Sequence, residues 1–172
     1  MAKISNQNAY PSTAAGVSDM VIGTDVSNNN ATVNFTVQSV VDAALDYKTV
    51  TVDVSSSELL NLPKVLVAAP GAGKYIKVLE ISLFLDYNSS AYTQGGDIEF
   101  RAGGDLQAKI PPSSGLLTAT SDTVMSLQIV PSISSKIAAN TALSMETGNT
   151  IAAGNSPLKV KIKYQILDTS NF

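Results

Sequence analysis

Histidine and cysteine are both absent from this sequence, and that absence decides most of its chemistry. Without histidine the chain has no side chain that normally titrates near neutral pH, and it lacks the commonest metal ligand. Without cysteine it has no thiolate nucleophile, no disulfide and no sulfur ligand for zinc. Ser-His, Cys-His and zinc mechanisms are excluded, and carboxylate chemistry is what survives. Cleavage of a sugar polymer needs two carboxyl groups roughly 5–9.5 Å apart across a cleft. Asp97 and Glu99, two residues apart, share one face of a strand and could supply such a pair. Sites of that kind sit among stacking aromatics, whereas here tryptophan is absent and aromatic residues make up only 6% of the chain. The expectation is a protein that is not an enzyme and that holds no cofactor.

Two other patterns invite a chemical reading. Pro70-Gly71-Ala72-Gly73-Lys74-Tyr75 has the glycines and lysine of a phosphate-binding loop. The full pattern needs a glycine where Ala68 stands and a serine or threonine where Tyr75 stands. A strand follows the lysine, so no helix N-terminus is there to receive a phosphate, and the segment reads as a hairpin turn. Asp97, Asp105 and Asp122 are hard oxygen ligands of the type calcium takes, but EF-hand spacing is missing. They read as turn-capping aspartates, and no metal is expected.

The wider composition agrees. Hydrophobic residues make up 44% and charged residues 15%, against roughly 25% charged in ordinary soluble domains. Polarity therefore rests on Ser, Thr, Asn and Gln, which suits a surface that neighbouring subunits will cover. The net charge of -3, with no run of like charge, argues against a nucleic-acid partner. Met1 to Tyr10 lacks the apolar stretch of a secretory signal, and no segment approaches the ~18 apolar residues that span a bilayer, so no membrane partner is expected.

The elements that would position these residues fall into two regions, 1–47 and 48–172. Residues 1–16 read as an extended arm. Met20-Val21-Ile22 and Ala31 to Thr36 read as strands of a hairpin turned at Asn28-Asn29-Asn30, followed by a short helix from Val37 to Leu45. A hairpin and one short helix bury too little to stand alone, so their apolar side chains must dock elsewhere. From Tyr47 onward nearly every segment is strand-like. Thr49 to Val54 alternates, Ser55 to Leu60 makes one helical turn stopped by Pro63, and Lys64 to Ala68 is a short strand. Tyr75 to Tyr87 is the longest strand, and its apolar parity changes between Val78 and Leu79, which predicts a bulge near Val78. Strands follow at Ile98 to Ala102, Thr123 to Ile129, Ala142 to Glu146 and Leu158 to Leu167. About eight strands and no crossover helix predict an all-β fold: an antiparallel β-sandwich of jelly-roll type behind an N-terminal arm, hairpin and short helix.

The stretch from Ser18 to Val40, MVIGTDVSNNNATVNFTVQSV at its centre, resembles a segment near the N-termini of tailed-bacteriophage virion and appendage proteins. Pro63 to Leu79, Ser82 to Tyr87, Asn140 to Leu143 and Leu158 to Tyr164 resemble a β module of phage virion proteins. The resemblance implies a head-fibre, decoration or tail-appendage subunit, trimeric, located in the virion after assembly in the bacterial cytoplasm, with other capsid, neck or tail proteins as partners.

Two functional readings follow. In the first, residues before Tyr47 attach to the particle or interlock subunits through Val21, Ile22, Val33, Phe35, Val40 and Val41, while the sandwich forms the homo-oligomer. In the second, the sandwich is a carbohydrate-binding module for a host glycan, with Tyr87 and Tyr92 as stacking residues and Asp97 and Arg101 as hydrogen-bonding ones.

Overall fold

The computed structural model describes residues 20–25, 31–37, 40, 47–127, 129 and 138–171. The chain divides into two compact units, Met1–Asp46 and Tyr47–Phe172. The arm expected over residues 1–16, the turn at 28–30, Val41, and all but Val37 and Val40 of the helix expected over 37–45 lie outside the described residues.

In the first unit, β1 (Met20–Asp25) and β2 (Ala31–Thr36) form an antiparallel hairpin. Val21 lies opposite Phe35 and Ile22 opposite Asn34, so neighbouring residues present to opposite faces.

Among its described residues the second unit contains ten strands and one short α-helix. They are β3 (Lys48–Val54), α1 (Ser56–Leu60), β4 (Lys64–Val67), β5 (Lys74–Leu85), β6 (Tyr92–Gln94), β7 (Ile98–Ala102), β8 (Asp105–Ile110), β9 (Thr123–Leu127), β10 (Leu143–Thr147), β11 (Ile151–Ala153) and β12 (Leu158–Asp168). One sheet has the order β3-β12-β5-β9 and the other β4-β10-β7-β8, while β6 and β11 form a separate pair. Every pairing is antiparallel. The expected all-β, antiparallel sandwich is therefore what the chain forms. Four of its pairings are nested: β7 with β8, β5 with β9, β4 with β10 and β3 with β12.

Both four-stranded sheets contribute to one apolar core. Ile81, Leu83, Leu85, Leu158, Val160 and Ile162 come from the first, and Phe100, Ile98, Ile110, Leu143 and Met145 from the second. The alternation of β12 follows from this, with Leu158, Val160 and Ile162 buried and Lys159 and Lys161 exposed. β5 keeps its apolar residues inside despite their change of parity. Lys163 pairs with Glu80 and Tyr164 with Val78, leaving Leu79 as an extra residue between them. That bulge returns Ile76 and Val78 to the core side occupied by Ile81, Leu83 and Leu85.

Helix α1 forms because Ser55 and Glu58 close a capping box: the Ser55 hydroxyl accepts from the Glu58 N–H, and the Glu58 carboxylate accepts from the Ser55 N–H. One expectation needs correction. The Pro70 to Gly73 turn closes on itself, with the Lys74 N–H donating to the Gly71 carbonyl at 3.2 Å, but it is not a hairpin turn. It joins β4 to β5, which belong to different sheets, so it is a corner between layers.

Candidate functional site

The four residues expected to contact a glycan do not assemble into a site. Tyr92 opens β6 and is 2% exposed, so it cannot stack on a sugar. Its hydroxyl donates to the Ser156 carbonyl at 2.5 Å, and burial pushes the phenol's pKa up. The approach of its ring is what requires Gly154: a Cβ there would lie 2.2 Å from Tyr92 Cδ1, and the residue's φ is +81°. Tyr92 is thus a core residue, and the expectation that it is a stacking platform is corrected.

Tyr87 is half-buried in the loop after β5. That loop is sewn to residues 155–157. The Asn155 carboxamide oxygen accepts from the Ser89 and Ser90 N–H groups, and the Ser156 hydroxyl accepts from the Asn88 N–H. The Tyr87 N–H itself donates to Asp122 Oδ1 at 2.9 Å, so Asp122 ties this loop to a segment distant in sequence.

Asp97 and Arg101 both have prior commitments. Asp97 accepts from Lys109 Nζ at 2.7 Å, and Arg101 Nε donates to Glu99 at 2.7 Å. These partners raise the pKa values of both Lys109 and Arg101. Asp97 and Arg101 are four residues apart on an extended chain, about 13 Å at the usual strand rise.

The carboxylate pair Asp97 and Glu99 is likewise held by cations, Lys109 on one and Arg101 on the other. The carboxylate placed directly across from Glu99 is Glu146 on β10, a neighbour that sequence reading missed because the pairing spans more than forty residues. The Ser144 hydroxyl donates to Glu146, and Arg101 faces the same ladder. Among the described residues, no group of three or more acidic side chains is arranged to hold a metal ion.

The glycine-rich corner is also closed to a ligand by its own contacts. The Gly71 N–H, which a phosphate would need, donates to Asn140 Oδ1 at 3.0 Å. The Gly73 carbonyl accepts from both the Thr169 N–H and the Thr169 hydroxyl. Lys74 Nζ lies 3.8 Å from Asp168, so the lysine also faces a carboxylate of the same chain.

The expected attachment residues are better described as uncovered surface. Ile22 is 73% exposed, while Val21 and Val40 are 44% and 45% exposed. Phe35 is half-buried across from Val21, and Ile22 projects from the other face of the hairpin. The set is therefore divided between two faces. Val33 pairs with Gly23 in register; its side chain, like Val41, lies outside the described residues.

Fold and side-chain placement together define an antiparallel β-sandwich whose polar clusters are internally paired, preceded by a separate hairpin unit with exposed apolar side chains. Neither protein-family models nor curated proteins match this chain. No described helix is long and apolar enough to cross a membrane.

Proposed function

We propose that the protein is a non-enzymatic virion structural subunit of a tailed bacteriophage, a head-fibre, decoration or tail-appendage protein. It attaches to the particle through residues before Tyr47 and oligomerises, as a trimer, through its β domain. The observation that carries this reading is the hairpin: Ile22 and Val21 stay exposed on it. Apolar strands left uncovered are a cost in solution and an asset in an assembly. The nested strand order supports reading the sandwich as a jelly roll, an architecture that serves virion shells as well as lectins. Fold alone does not choose between those uses. Against the carbohydrate-binding alternative stand the burial of Tyr92 and the internal pairing of Asp97 and Arg101.

Among the described residues, those of the core all lie in Tyr47–Phe172, so a chain lacking residues 1–46 should keep its sandwich. Supplied to phage-infected cells in place of the full chain, that truncated protein is expected to be missing from purified virions. Incorporation at normal levels would refute the attachment role.

A further inference from the structure

The two four-stranded sheets end in the edge strands β3, β9, β4 and β8, which are not equally protected. β4 is four residues long and its register with β10 is broken, leaving Leu66 as an extra residue. β8 carries the extra residue Gln107, and β9 is five residues long. β3 has no such device. Its seven residues, Lys48–Val54, keep unbroken register with β12, contain neither proline nor glycine, and include the β-branched run Thr49-Val50-Thr51-Val52. Among the described residues nothing pairs with its other edge. A long, regular edge of this kind is a template for another strand.

Which backbone groups point outward follows from the ladder. The Asp86 N–H donates to the Pro157 carbonyl at 3.1 Å, one step beyond the pair Leu85 and Leu158. Along a central antiparallel strand, one residue bonds to the neighbour on one side and the next residue to the neighbour on the other. Lys159 and Lys161 therefore bond to β5, while Leu158, Val160 and Ile162 bond to Val54, Val52 and Val50 of β3. What remains is Thr49, Thr51 and Asp53. Their N–H and C=O groups point away from β12, and all three residues are exposed.

We infer that β3 of one subunit pairs antiparallel with β3 of a second copy, about a two-fold axis at Thr51. The strand is its own complement in this register. Thr51 lies opposite Thr51 and Thr49 opposite Asp53, so the outward groups of both strands exchange hydrogen bonds, and the Thr49 hydroxyl is placed to donate to the Asp53 carboxylate. On the core side the same register sets Val50 opposite Val52. Both valines are half-buried in the single chain, although their β12 partners Ile162 and Val160 are fully buried, so the pairing extends the core across the junction. Like charges are kept apart, since Lys48 meets Val54. A slip of one residue would set the core side of one copy against the outer side of the other. The same patch serves both partners, as a two-fold contact requires. The contact is thus distinct from the trimer proposed above, and it joins subunits in pairs.

The chain has no cysteine, which makes the register directly testable in the full-length protein. Cα atoms of a hydrogen-bonded antiparallel pair lie about 5.5 Å apart, within disulfide range. Under mild oxidation Thr51→Cys should form a disulfide-linked dimer about tenfold faster or more than Thr49→Cys, whose counterpart in the second copy is about 14 Å away. Mixing Thr49→Cys chains with Asp53→Cys chains should restore fast linkage. Thr51→Pro removes an outward N–H and no bond to β12, so it should keep the fold while abolishing the concentration-dependent association of the wild-type protein in sedimentation velocity. Equal linkage rates for Thr51→Cys and Thr49→Cys would overturn the pairing. So would Thr49, Thr51 and Asp53 amides that stay protected from hydrogen exchange at every protein concentration, because the edge would then be covered within one chain. Neither result bears on the virion role, which the truncated chain tests separately.

Discussion

Tyr92→Phe separates a core tyrosine from a ligand-stacking one, and the structure fixes the size of its effect. The substitution keeps the ring and removes only the hydroxyl that donates to the Ser156 carbonyl at 2.5 Å. Donor and acceptor both sit in the interior, with Tyr92 2% and Ser156 0% exposed. A hydrogen bond contributes about 1 kcal/mol net, but an acceptor left buried without its donor costs about 1–3 kcal/mol. A loss of about 2 kcal/mol is therefore expected. In urea, with a slope of about 2 kcal/mol per molar, the unfolding midpoint should fall by about 1 M and the slope should not change. Tyr87→Phe is the matched control. Tyr87 is half-buried and is held through its backbone N–H, so its loss should stay within about 0.5 kcal/mol. Circular dichroism and intrinsic fluorescence read both curves. Equal midpoints for the two variants would refute the placement of Tyr92, and with it the account of why Gly154 stands beside its ring.

Three further substitutions test local devices of the fold. The Glu58 carboxyl is held down to about 2, first by Lys64 and then by the Ser55 N–H and hydroxyl, below its ordinary value of 4.5. A depressed carboxyl stabilises the folded state above its unfolded value and loses that contribution as pH falls. Glu58→Gln should therefore be less stable than wild type at neutral pH, with the gap in melting temperature closing between pH 4.5 and about 2. A gap that stays constant with pH would show that the ion pair and cap do not act through the charge. At the end of β11, Ala153 has φ +54° and Gly154 φ +81°. Ala153→Gly should stabilise by about 0.5–1 kcal/mol, because relief of the left-handed strain exceeds the added freedom of the unfolded chain. Gly154→Ala should cost about 3 kcal/mol or more, since strain and the collision with Tyr92 add. Both are read by thermal unfolding.

Which parts of this molecule were legible in the sequence depended on whether one residue's neighbours along the chain were also its neighbours in the core. β12 was readable because each buried residue alternates with an exposed or half-buried polar one over its first six positions. β5 was readable even through its irregularity, since a change of apolar parity has few causes other than a bulge, and Leu79 is that bulge. β8 was not. Phe100 pairs with Ala108 and Arg101 with Leu106, so Gln107 is an extra residue, and Leu106 and Ala108 have equal parity but face opposite ways. A period of two cannot reveal such a strand. β6 and β11, with three residues each, are too short to display any period.

The candidate site failed for a related reason. Tyr92 stands in a polar stretch, Ser89-Ser90-Ala91-Tyr92-Thr93-Gln94, which by itself reads as exposed. What draws its ring inward is a gap left by Gly154 and a carbonyl at Ser156, more than sixty residues away. Asp97 and Arg101 looked available because their partners are not both local. Lys109 reaches Asp97 across the β7–β8 pair, whereas Glu99, two residues from Arg101, was visible all along and was weighed only as an acid. The lysine side of β12 is the converse case. Lys159, Lys161 and Lys163 were legible as the outer side of a strand, but only β3 and β5 laid on either side show that Asp53 lies opposite Lys159 and Glu80 opposite Lys163, while Lys161 lies between Thr51 and Ser82. A strand's own sequence tells which side is wet. Only its neighbours tell whether the charges on that side are already matched.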